Sequence, residues 1–231
     1  MPHREPIVVI SLGGSIIAPP EGIDTTFLKA FRRLLLARAK KGTRFILICG
    51  GGTTARNYQQ AARQIVALTR DDLDWIGIHA TRLNGHLLRT LFRDVAHPTM
   101  VKDPTRKISW REPMLIAAGW KPGASTDYDA VLMARQYKAS VVINLSNISM
   151  LCDKDPKKYP DAKPIRTINW KDFRKIVGST WEPGANLPFD PIASKVAEKL
   201  RLRVILANGR DLKNLSKILA GKKFVGTMIG E

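Results

Sequence analysis

The sequence predicts an α/β fold in which a mainly parallel sheet lies between two layers of helices, a three-layer α/β/α sandwich. Two observations lead to this prediction. Short apolar runs rich in β-branched residues recur along the chain, and helical patterns separate them. The runs are nearly continuous rather than alternating, which is typical of parallel strands covered on both faces. They span residues 7–12, 45–49, 114–118, 141–145 and 204–207.

The helical patterns each have recognisable ends. The first can begin at Asp24 or Thr25 and stops before Gly42, because short polar residues cap helix starts and glycine ends helices. Its apolar stripe is formed by Phe27, Phe31, Leu34 and Leu35. Asn169 and Asp211 resemble caps of two later helices. The remaining helices are predicted over residues 54–69, 83–94, 127–137, 169–177, 191–200 and 212–219.

Length and composition indicate an ordinary globular chain without a membrane segment. The 231 residues are 44% hydrophobic and 25% charged, as in soluble domains. No apolar run approaches the roughly 18 residues that would span a bilayer. The chain enters its first strand without the apolar stretch of a signal peptide. A cytoplasmic location is therefore expected. Cys49 and Cys152 have no CxxC spacing, and we expect two buried thiols rather than a disulfide.

The net charge of +18 suits an anionic partner, such as a nucleotide, a nucleic acid or an acidic metabolite. The basic residues occur mostly as short pairs spread over the chain. The sequence contains neither an aromatic-rich RNA-binding motif nor a helix-turn-helix pattern, so a nucleic-acid partner is not predicted. The four histidines lack ligand spacing, and no protein-bound metal site is predicted.

Glycine clusters follow the first two predicted strands, at residues 13–14 and 50–52. Glycine lets the backbone approach phosphate oxygens, and the N-terminus of a following helix attracts anions. Arg56 lies one turn into the helix after the second cluster and can add a charge-assisted contact. Neither cluster matches the P-loop or the dinucleotide fingerprint. The pattern predicts a phosphate site at the carboxyl ends of the strands.

Six segments, in order along the chain, resemble motifs of the amino acid kinase superfamily, nearest to its archaeal-type uridylate kinases. They are residues 8–15 (VVISLGGS), 50–56 (GGGTTAR), 73–84 (LDWIGIHATRLN), 121–127 (KPGASTD), 154–156 (KDP) and 226–229 (GTMI). The resemblance implies transfer of the γ-phosphoryl group of ATP to UMP, with Mg²⁺ accompanying ATP. It also implies one domain over residues 1–231, with an acceptor part to about residue 140 and a donor part after it, and a homohexamer.

The resemblance assigns site residues in three groups. Those implied to bind UMP are Gly51, Asp74, Trp120, Lys121, Pro122, Gly123, Ala124, Ser125 and Thr126. Those implied to bind ATP are Gly13, Gly14, Gly52, Arg56, Ser146, Asn147, Cys152 and Asp155. Those implied to act in the transfer are Gly14, Arg56 and Asp190. Asp74, Asp190 and Thr126 could instead serve as helix caps, a role compatible with ligand contact because helix N-termini bind anions.

Two departures from the family pattern fall on the donor side. Many members have a lysine where this chain has Ser11, and Lys195, one turn beyond Asp190, is a candidate replacement. The family also usually has aspartate, glycine and tyrosine where this chain has Ser149, Met150 and Cys152. Loss of a carboxylate and an aromatic ring there could weaken adenine or Mg²⁺ binding, or change the donor.

Two other functions stay open at this point. One is a carboxylate or carbamate kinase of the same superfamily. The other is a catalytically altered nucleotide-binding or RNA-binding protein on the same scaffold, which the donor-side departures and the charge favour. The Asp74 segment and the loop at residues 121–127 favour a nucleotide acceptor. A UMP phosphate is already ionised and needs no catalytic base. The lack of a recognisable base in the sequence therefore does not argue against a UMP kinase.

Overall fold

A computed structural model describes residues 6–156, 158–178 and 187–230 of the chain. The proline- and glycine-rich stretch at residues 182–191, which the sequence predicts to be a loop, lies partly outside the described residues. The strands are β1 (Ile7–Leu12), β2 (Arg44–Cys49), β3 (Met114–Ala117), β4 (Val141–Ser146), β5 (Leu151–Cys152), β6 (Pro164–Ile165), β7 (Thr167–Ile168), β8 (Arg203–Asn208) and β9 (Thr227–Ile229). The helices are α1 (Gly14–Ile17), α2 (Thr25–Ala39), α3 (Gly52–Arg63), α4 (Arg70–Leu91), α5 (Thr126–Tyr137), α6 (Trp170–Val177), α7 (Pro191–Lys199) and α8 (Leu212–Leu219).

Seven strands form one sheet in the order β3-β2-β1-β4-β8-β9-β7. The pairs from β3 to β8 are parallel, whereas β9 runs antiparallel to β8. The mainly parallel sheet predicted from the apolar runs is confirmed. The two-residue strands β5, β6 and β7 were not predicted, because so short a run has no periodicity to detect.

The sheet has an apolar core on each face, which confirms the three-layer architecture. Successive residues of a strand point to opposite faces, and Val9 and Ile10 accordingly belong to different cores. Helices α2, α4 and α8 cover the core that contains Ile10. Helices α5, α6 and α7 cover the core that contains Val9. Each fully buried large side chain contributes about 1.5–3 kcal/mol to folding.

Several predicted helix ends are confirmed by capping hydrogen bonds. Asp24 caps α2 by accepting from the Phe27 N–H, which settles the choice between Asp24 and Thr25. Asn169 and Asp211 cap α6 and α8 as expected. Asp190 caps α7 through the N–H groups of the first turn. Each such cap is typically worth about 1 kcal/mol.

Two proposed caps are wrong. Ser125 caps α5, and Thr126 is the first residue inside the helix. Thr69 caps α4 and forms a capping box with Asp72, so Asp74 lies within the first turns of that helix. A capping box satisfies two free backbone N–H groups at once and fixes where the helix begins.

The helices around residue 69 also differ from the prediction. Helix α3 ends at Arg63 instead of residue 69, and α4 extends from Arg70 to Leu91 instead of starting at residue 83. Gly77 lowers helix propensity in the middle of α4, but packing of α4 against α3 and the sheet outweighs it. The first glycine cluster continues directly into the short helix α1 rather than a loop.

The two cysteines differ in burial. Cys49 is fully buried, and burial raises the pKa of its thiol to about 12. Cys152 is only half-buried, so the expectation of two buried thiols is wrong for this residue. Both are free cysteines. Over the described part of the chain, no helix is long and apolar enough to cross a membrane.

Candidate phosphoryl-transfer site

The two glycine loops cross in direct backbone contact where β1 and β2 end. A Cβ atom on Gly14 would lie 2.2 Å from the Gly52 nitrogen, and one on Gly52 would lie 2.1 Å from the Gly14 carbonyl carbon. Gly52 also has a φ of +59°, which L side chains rarely adopt. The glycines are therefore required by the crossing itself as well as by any phosphate that binds there.

A buried asparagine of α4 holds the second glycine loop through hydrogen bonds. Asn84 of α4 is 2% exposed and donates from Nδ2 to the Gly50 oxygen at 2.8 Å and the Gly51 oxygen at 3.3 Å. The Gly13 N–H donates to the Leu145 oxygen at 2.8 Å, which ties the first loop to β4. Asn84 was part of a recognised segment but had no predicted role, because its partners come from a distant glycine cluster.

Arg56 links the two loops through its side chain. Its Nη2 donates to Ser15 Oγ at 3.0 Å and to Thr53 Oγ1 at 2.8 Å. Helix α3 begins at Gly52, so free backbone N–H groups and the positive end of the helix dipole lie beside the guanidinium. These groups suit an anion, and the phosphate site at this end of the sheet stays a prediction.

An acceptor cleft of about 230 Å³ opens beside the second loop, between α4 and the segment before α5. Several residues predicted to bind the acceptor line it: Gly51, Asp74, Ala124, Ser125 and Thr126. Gly52 and Arg56, which were predicted for the donor phosphates, also line it. Trp120, Lys121, Pro122 and Gly123 are outside this lining.

Residues 119–123 are nevertheless held beside the cleft by side chains of α4. Asp74 Oδ2 accepts from the Gly123 N–H at 2.8 Å. Arg82 Nη2 donates to the Trp120 oxygen at 3.0 Å, and Thr81 Oγ1 accepts from the Gly119 N–H at 2.8 Å. The loop is therefore fixed in position without a ligand.

A group of carboxylates joins this loop to α7 and β1. Ser125 Oγ donates to Asp190, and the Asp190 N–H lies 3.4 Å from Asp127 Oδ2. Asp127 Oδ1 accepts from Ser11 Oγ at 3.0 Å and from Asn144 Nδ2 at 2.8 Å. Burial, together with the nearby charge of Asp190, raises the pKa of Asp127 to about 7.

Asp127 was not among the predicted site residues, although it ends a recognised motif. Its position could have identified it. Asp127 is the second residue of α5, and the N-terminus of this helix lies near the carboxyl ends of the strands. Its partners on β1 and β4 are distant in sequence. Ser11, where many family members have lysine, is thus engaged with Asp127.

Asp129 lies two positions beyond Asp127 in α5 and is 1% exposed. Its Oδ2 accepts from the Trp120 N–H at 3.2 Å, while Oδ1 is buried and has no hydrogen-bond partner among the described residues. Burial raises the pKa of Asp129 to about 8. The side chain is therefore mostly a neutral carboxylic acid at pH 7, which avoids the large cost of an isolated buried charge.

A donor cleft of about 580 Å³ lies on the other side of the loop crossing. Ser15, Asn147 and Arg56 line it, and Arg56 therefore borders both clefts. Arg210, from the turn after β8, also lines the donor cleft and donates from Nη1 to Asp24 Oδ2 at 2.8 Å. Hydrogen bonds from the Phe27 N–H and from Arg210 hold the pKa of Asp24 below its ordinary value.

Other residues predicted for the donor side lie outside this lining. Ser146 ends β4 and accepts from the Ile148 N–H at 3.2 Å. Cys152 lies in the β5–β6 hairpin and Asp155 just after β5, and neither lines the donor cleft. Lys195 is exposed on α7 and makes neither a hydrogen bond nor an ion pair with any described residue. The role of Lys195 stays a prediction.

A mainly parallel α/β sheet with two glycine loops crossing at its strand ends, between two clefts that share an arginine, is an arrangement suited to binding phosphate groups. The model of the amino acid kinase family matches residues 6–208. The chain belongs to the amino acid kinase family.

Curated relatives narrow the comparison. The uridylate kinase of Thermoplasma volcanium is 34% identical over 227 residues, which cover 97% of each chain. The uridylate kinase of Methanospirillum hungatei is 33% identical and aligns with 97% of this chain and 94% of its own length. Both alignments run over nearly the whole of each protein.

Solved structures agree with the fold. The crystal structure of uridylate kinase from Archaeoglobus fulgidus superposes with a TM-score of 0.81 at 29% identity, over 96% of this chain and 99% of the other. The UMP kinase of Bacillus anthracis superposes with a TM-score of 0.74 at 21% identity, covering 97% and 95% of the two chains. The latter likeness concerns the fold alone.

Proposed function

We propose that this protein is a UMP kinase, which transfers the γ-phosphoryl group of ATP to UMP and yields UDP and ADP in pyrimidine nucleotide biosynthesis. One observation carries the proposal: an acceptor cleft and a donor cleft meet at Arg56, beside the crossing of the glycine loops. The uridylate kinases that align over nearly the whole chain support UMP as the acceptor.

The chemistry requires positioning and charge neutralisation rather than a catalytic base. The acceptor oxygen of UMP is already ionised and has to be placed in line with the γ-phosphorus. We assign the UMP phosphate to Gly51 and the start of α3, and the ribose to Asp74. Arg56 lies where the transferred group passes and stabilises its equatorial oxygens, as preorganised cations do in phosphoryl transfer.

Arg210 is our candidate for the cation that compensates for the serine at position 11. It lines the donor cleft with Arg56, and its ion pair with Asp24 fixes its direction. Ser11 is hydrogen-bonded to Asp127 and brings no charge. Lys195 stays an alternative, although α7 presents it to solvent.

Mg²⁺ enters this scheme with the donor nucleotide. Among the described residues no three His, Cys, Asp or Glu side chains are close enough to hold a metal ion. This fits Mg²⁺, which is usually held by substrate phosphates with one or two carboxylates. When bound, it neutralises charge on the β- and γ-phosphates. We assign Ser146, Asn147, Cys152 and Asp155 to the nucleoside end of ATP, and Gly13 and Gly14 to its phosphates.

Asp190 has a positioning role in this proposal. It caps α7 and receives the Ser125 hydroxyl hydrogen bond, so it joins the donor-side helix to the acceptor loop. We also propose that the chain divides into an acceptor part, which ends at about residue 140, and a donor part after it. The hydrogen bond between Ser125 and Asp190 joins the two parts.

An apolar surface on α3 and α4 supports the expected homo-oligomer. Tyr58 is 68% exposed and Leu83 is 62% exposed, and both line a shallow apolar cleft with Trp75 and His79. Contiguous exposed apolar surface marks interaction sites. Pairing of two copies through these helices, and a hexamer of such pairs, are our expectations for the assembly. A cytoplasmic location likewise stays an expectation.

The test is a steady-state assay of the purified protein with ATP and Mg²⁺ against UMP, CMP, glutamate derivatives and carbamate. UMP should be phosphorylated with the highest kcat/KM. Turnover of glutamate derivatives or carbamate without UMP would instead indicate the carboxylate or carbamate kinase. Binding of UMP without ATP binding or turnover would indicate a nucleotide-binding protein that has lost catalysis.

A further inference from the structure

Helices α2 and α8 lie side by side on one face of the molecule. The side chain of Arg38 crosses from α2 and donates from Nη2 to the Ser216 oxygen of α8 at 2.8 Å. Phe31 of α2 and Leu215 of α8 are buried in the same core. Because both helices bury one side in that core, their other sides face solvent in the same general direction.

The two segments that form this surface, which we call the basic face, contain ten cations and no carboxylate. Residues 25–41 contain six of them and residues 212–223 contain four. They are Lys29, Arg32, Arg33, Arg38, Lys40, Lys41, Lys213, Lys217, Lys222 and Lys223. The net charge of the whole protein is +18, so more than half of its excess charge is concentrated on these two segments.

Few acidic groups lie around the basic face. Asp94 comes within 3.6 Å of Arg32 and is itself largely exposed. Asp24 caps α2 and is paired with Arg210, and Asp211 caps α8. The exposed cations Lys29, Arg33, Lys40, Lys213 and Lys217 have no ion pair with any described residue.

The opposite face of the sheet shows the ordinary arrangement of surface charge. Arg174 of α6 pairs with Glu198 of α7, and Lys175 pairs with Asp172 at 2.7 Å. Two of the five cations on α6 and α7 are therefore paired, whereas Lys171, Lys195 and Lys199 are exposed and have no ion pair with any described residue. The basic face differs in that its two segments contain twice as many cations and no carboxylate.

We propose that the basic face binds the phosphate backbone of a double-stranded nucleic acid, at a site separate from the phosphoryl-transfer clefts. Unneutralised lysine and arginine side chains bind the closely spaced phosphates of a duplex by releasing condensed counterions. Such contacts are independent of sequence, since base edges are not touched.

The basic face has little large apolar surface, which argues against two other classes of partner; a cleft on α2 lined by Ala30, Leu36 and Ala37 is bordered by Lys29, Arg32, Arg33 and Lys40. None of the large exposed apolar side chains of the described residues lies within α2 or α8. A helix that inserts into a membrane surface needs an apolar face, and a protein interface needs an apolar centre. Single-stranded nucleic acid is bound largely by stacking on aromatic rings, and the two segments have no exposed aromatic residue.

The experiment compares two variants that change net charge equally. The first replaces Lys29, Arg33, Lys213 and Lys217 with glutamine. The second replaces Lys107, Arg135, Lys171 and Lys199 with glutamine; all four of these residues are exposed, and the last three lie on helices of the opposite face. Binding of a fluorescent 20-base-pair DNA duplex and of an RNA duplex of the same sequence is measured between 50 and 300 mM salt.

The wild-type protein should bind both duplexes, with an affinity that falls steeply as salt rises. The basic-face variant should bind at least about 10-fold more weakly at low salt, with a salt slope smaller by about 0.9 per lost phosphate contact. The opposite-face variant should bind within about twofold of wild type. Kinase activity should be unchanged in both, which verifies folding. A charge-preserving variant with Lys29, Lys213 and Lys217 replaced by arginine should retain binding.

Several results would overturn the proposal. One is the absence of duplex binding at 50 mM salt, and another is an equal loss in both glutamine variants, which would indicate a net-charge effect. Tighter binding to a single strand or to vesicles of anionic lipid would assign the face to another partner. Displacement of the duplex by saturating UMP and ATP would place it in the nucleotide clefts. If the duplex binds as expected but the protein does not phosphorylate UMP, this inference stands and the proposed function is wrong.

Discussion

The acceptor side and the donor side of the site are built differently. On the acceptor side, Thr81, Arg82 and Asp74 of α4 each hold the backbone of the loop before α5. On the donor side, the ion pair between Arg210 and Asp24 spans the cleft, and the adjoining hairpin has strands of two residues each. The acceptor cleft is therefore preformed, whereas the donor cleft has fewer fixed walls.

This difference matches the pattern of departures from the family motifs. Ser149, Met150 and Cys152 all lie on the donor side, where few described hydrogen bonds depend on the side chains. A side chain that supports no neighbouring backbone can be replaced at little cost in stability. Preorganisation lowers the entropy lost on binding, so we expect UMP recognition to be the more rigid half of the reaction.

The largest effect should come from the crossing that both sides share. In Gly14→Ala the new Cβ would lie 2.2 Å from backbone nitrogen of Gly52, so the loops must separate. We expect kcat/KM for both substrates to fall by about 10³-fold or more, as with other lost transition-state contacts, together with a lower melting temperature. Steady-state kinetics and thermal unfolding measure the two changes.

Gly221→Ala is the matched control. Gly221 follows helix α8, has a φ of +63° and has open space around its Cβ position. This variant should lose about 1 kcal/mol of stability from backbone strain and keep full activity. Equal activity of Gly14→Ala and wild type would show that the loop crossing is not required for the transfer.

The second-largest effect should distinguish the acceptor side of the site from the donor side. Asp74→Ala removes the acceptor of the Gly123 N–H bond and a carboxylate that lines the acceptor cleft. A hydrogen bond to a charged group contributes about 1.5–3 kcal/mol, so the KM for UMP should rise about 10- to 100-fold. The KM for ATP should stay within about twofold. Asp71→Ala, at an exposed acid of the same helix outside the cleft, should change neither constant.

More of the residues predicted for the acceptor side than of those predicted for the donor side lie together in one cleft, for a physical reason. Gly51 follows a strand and Thr126 begins a helix, so local geometry already fixes where they lie, whereas Asp74 was assigned by resemblance to a family motif. Asn84, Asp127 and Arg210 act through partners that are distant in sequence, between 17 and 186 residues away. No local pattern encodes such a contact.

The fold shows the same division. The strands of the central sheet were predictable because a buried parallel strand has its own apolar signature. The start of α4 was not predicted, since its first turns carry Arg70, Asp71 and Asp72 and lack an apolar stripe. The concentration of charge on α2 and α8 was also invisible in the sequence, where it appears as short basic pairs separated by more than 170 residues.

A third effect should test the donor side. Arg210→Ala breaks the pair with Asp24 and removes a cation from the donor cleft. Because Arg210 is 44% exposed, solvent screens part of its field, and we expect the KM for ATP to rise about 5- to 10-fold with the KM for UMP unchanged. Arg210→Lys should restore part of the affinity.

Two further variants make the Arg210 assignment specific. Asp24→Asn keeps the cap of α2, since asparagine is a good cap, but removes the charge that directs Arg210; it should reproduce a smaller part of the KM change. Arg203→Ala, at the opposite end of the same strand, should have no effect on kinetics. If Arg210→Ala leaves the KM for ATP unchanged, Lys195 becomes the leading candidate for the cation that compensates for Ser11.

The smallest effect should be a pH dependence of stability that originates on the acceptor side. The folded-state pKa of Asp129 is raised to about 8 from an unfolded value near 3.8. Between these values the folded protein binds more protons than the unfolded chain, so the free energy of unfolding falls as pH rises from about 4 to 8. Asp127, with a pKa of about 7, acts in the same direction up to about pH 7.

Asp129→Asn removes one of these titrations while keeping an oxygen for the Trp120 N–H. Relative to wild type, the variant should gain stability as pH rises from 5 to 8, by at most about 1.4 kcal/mol per pH unit, measured by urea unfolding at each pH. A constant difference between the two proteins over this range would show that Asp129 is already ionised in the folded state. In that case the Trp120 N–H donates to an ionised carboxylate, and the acceptor loop is held by a buried anion rather than by a protonated acid.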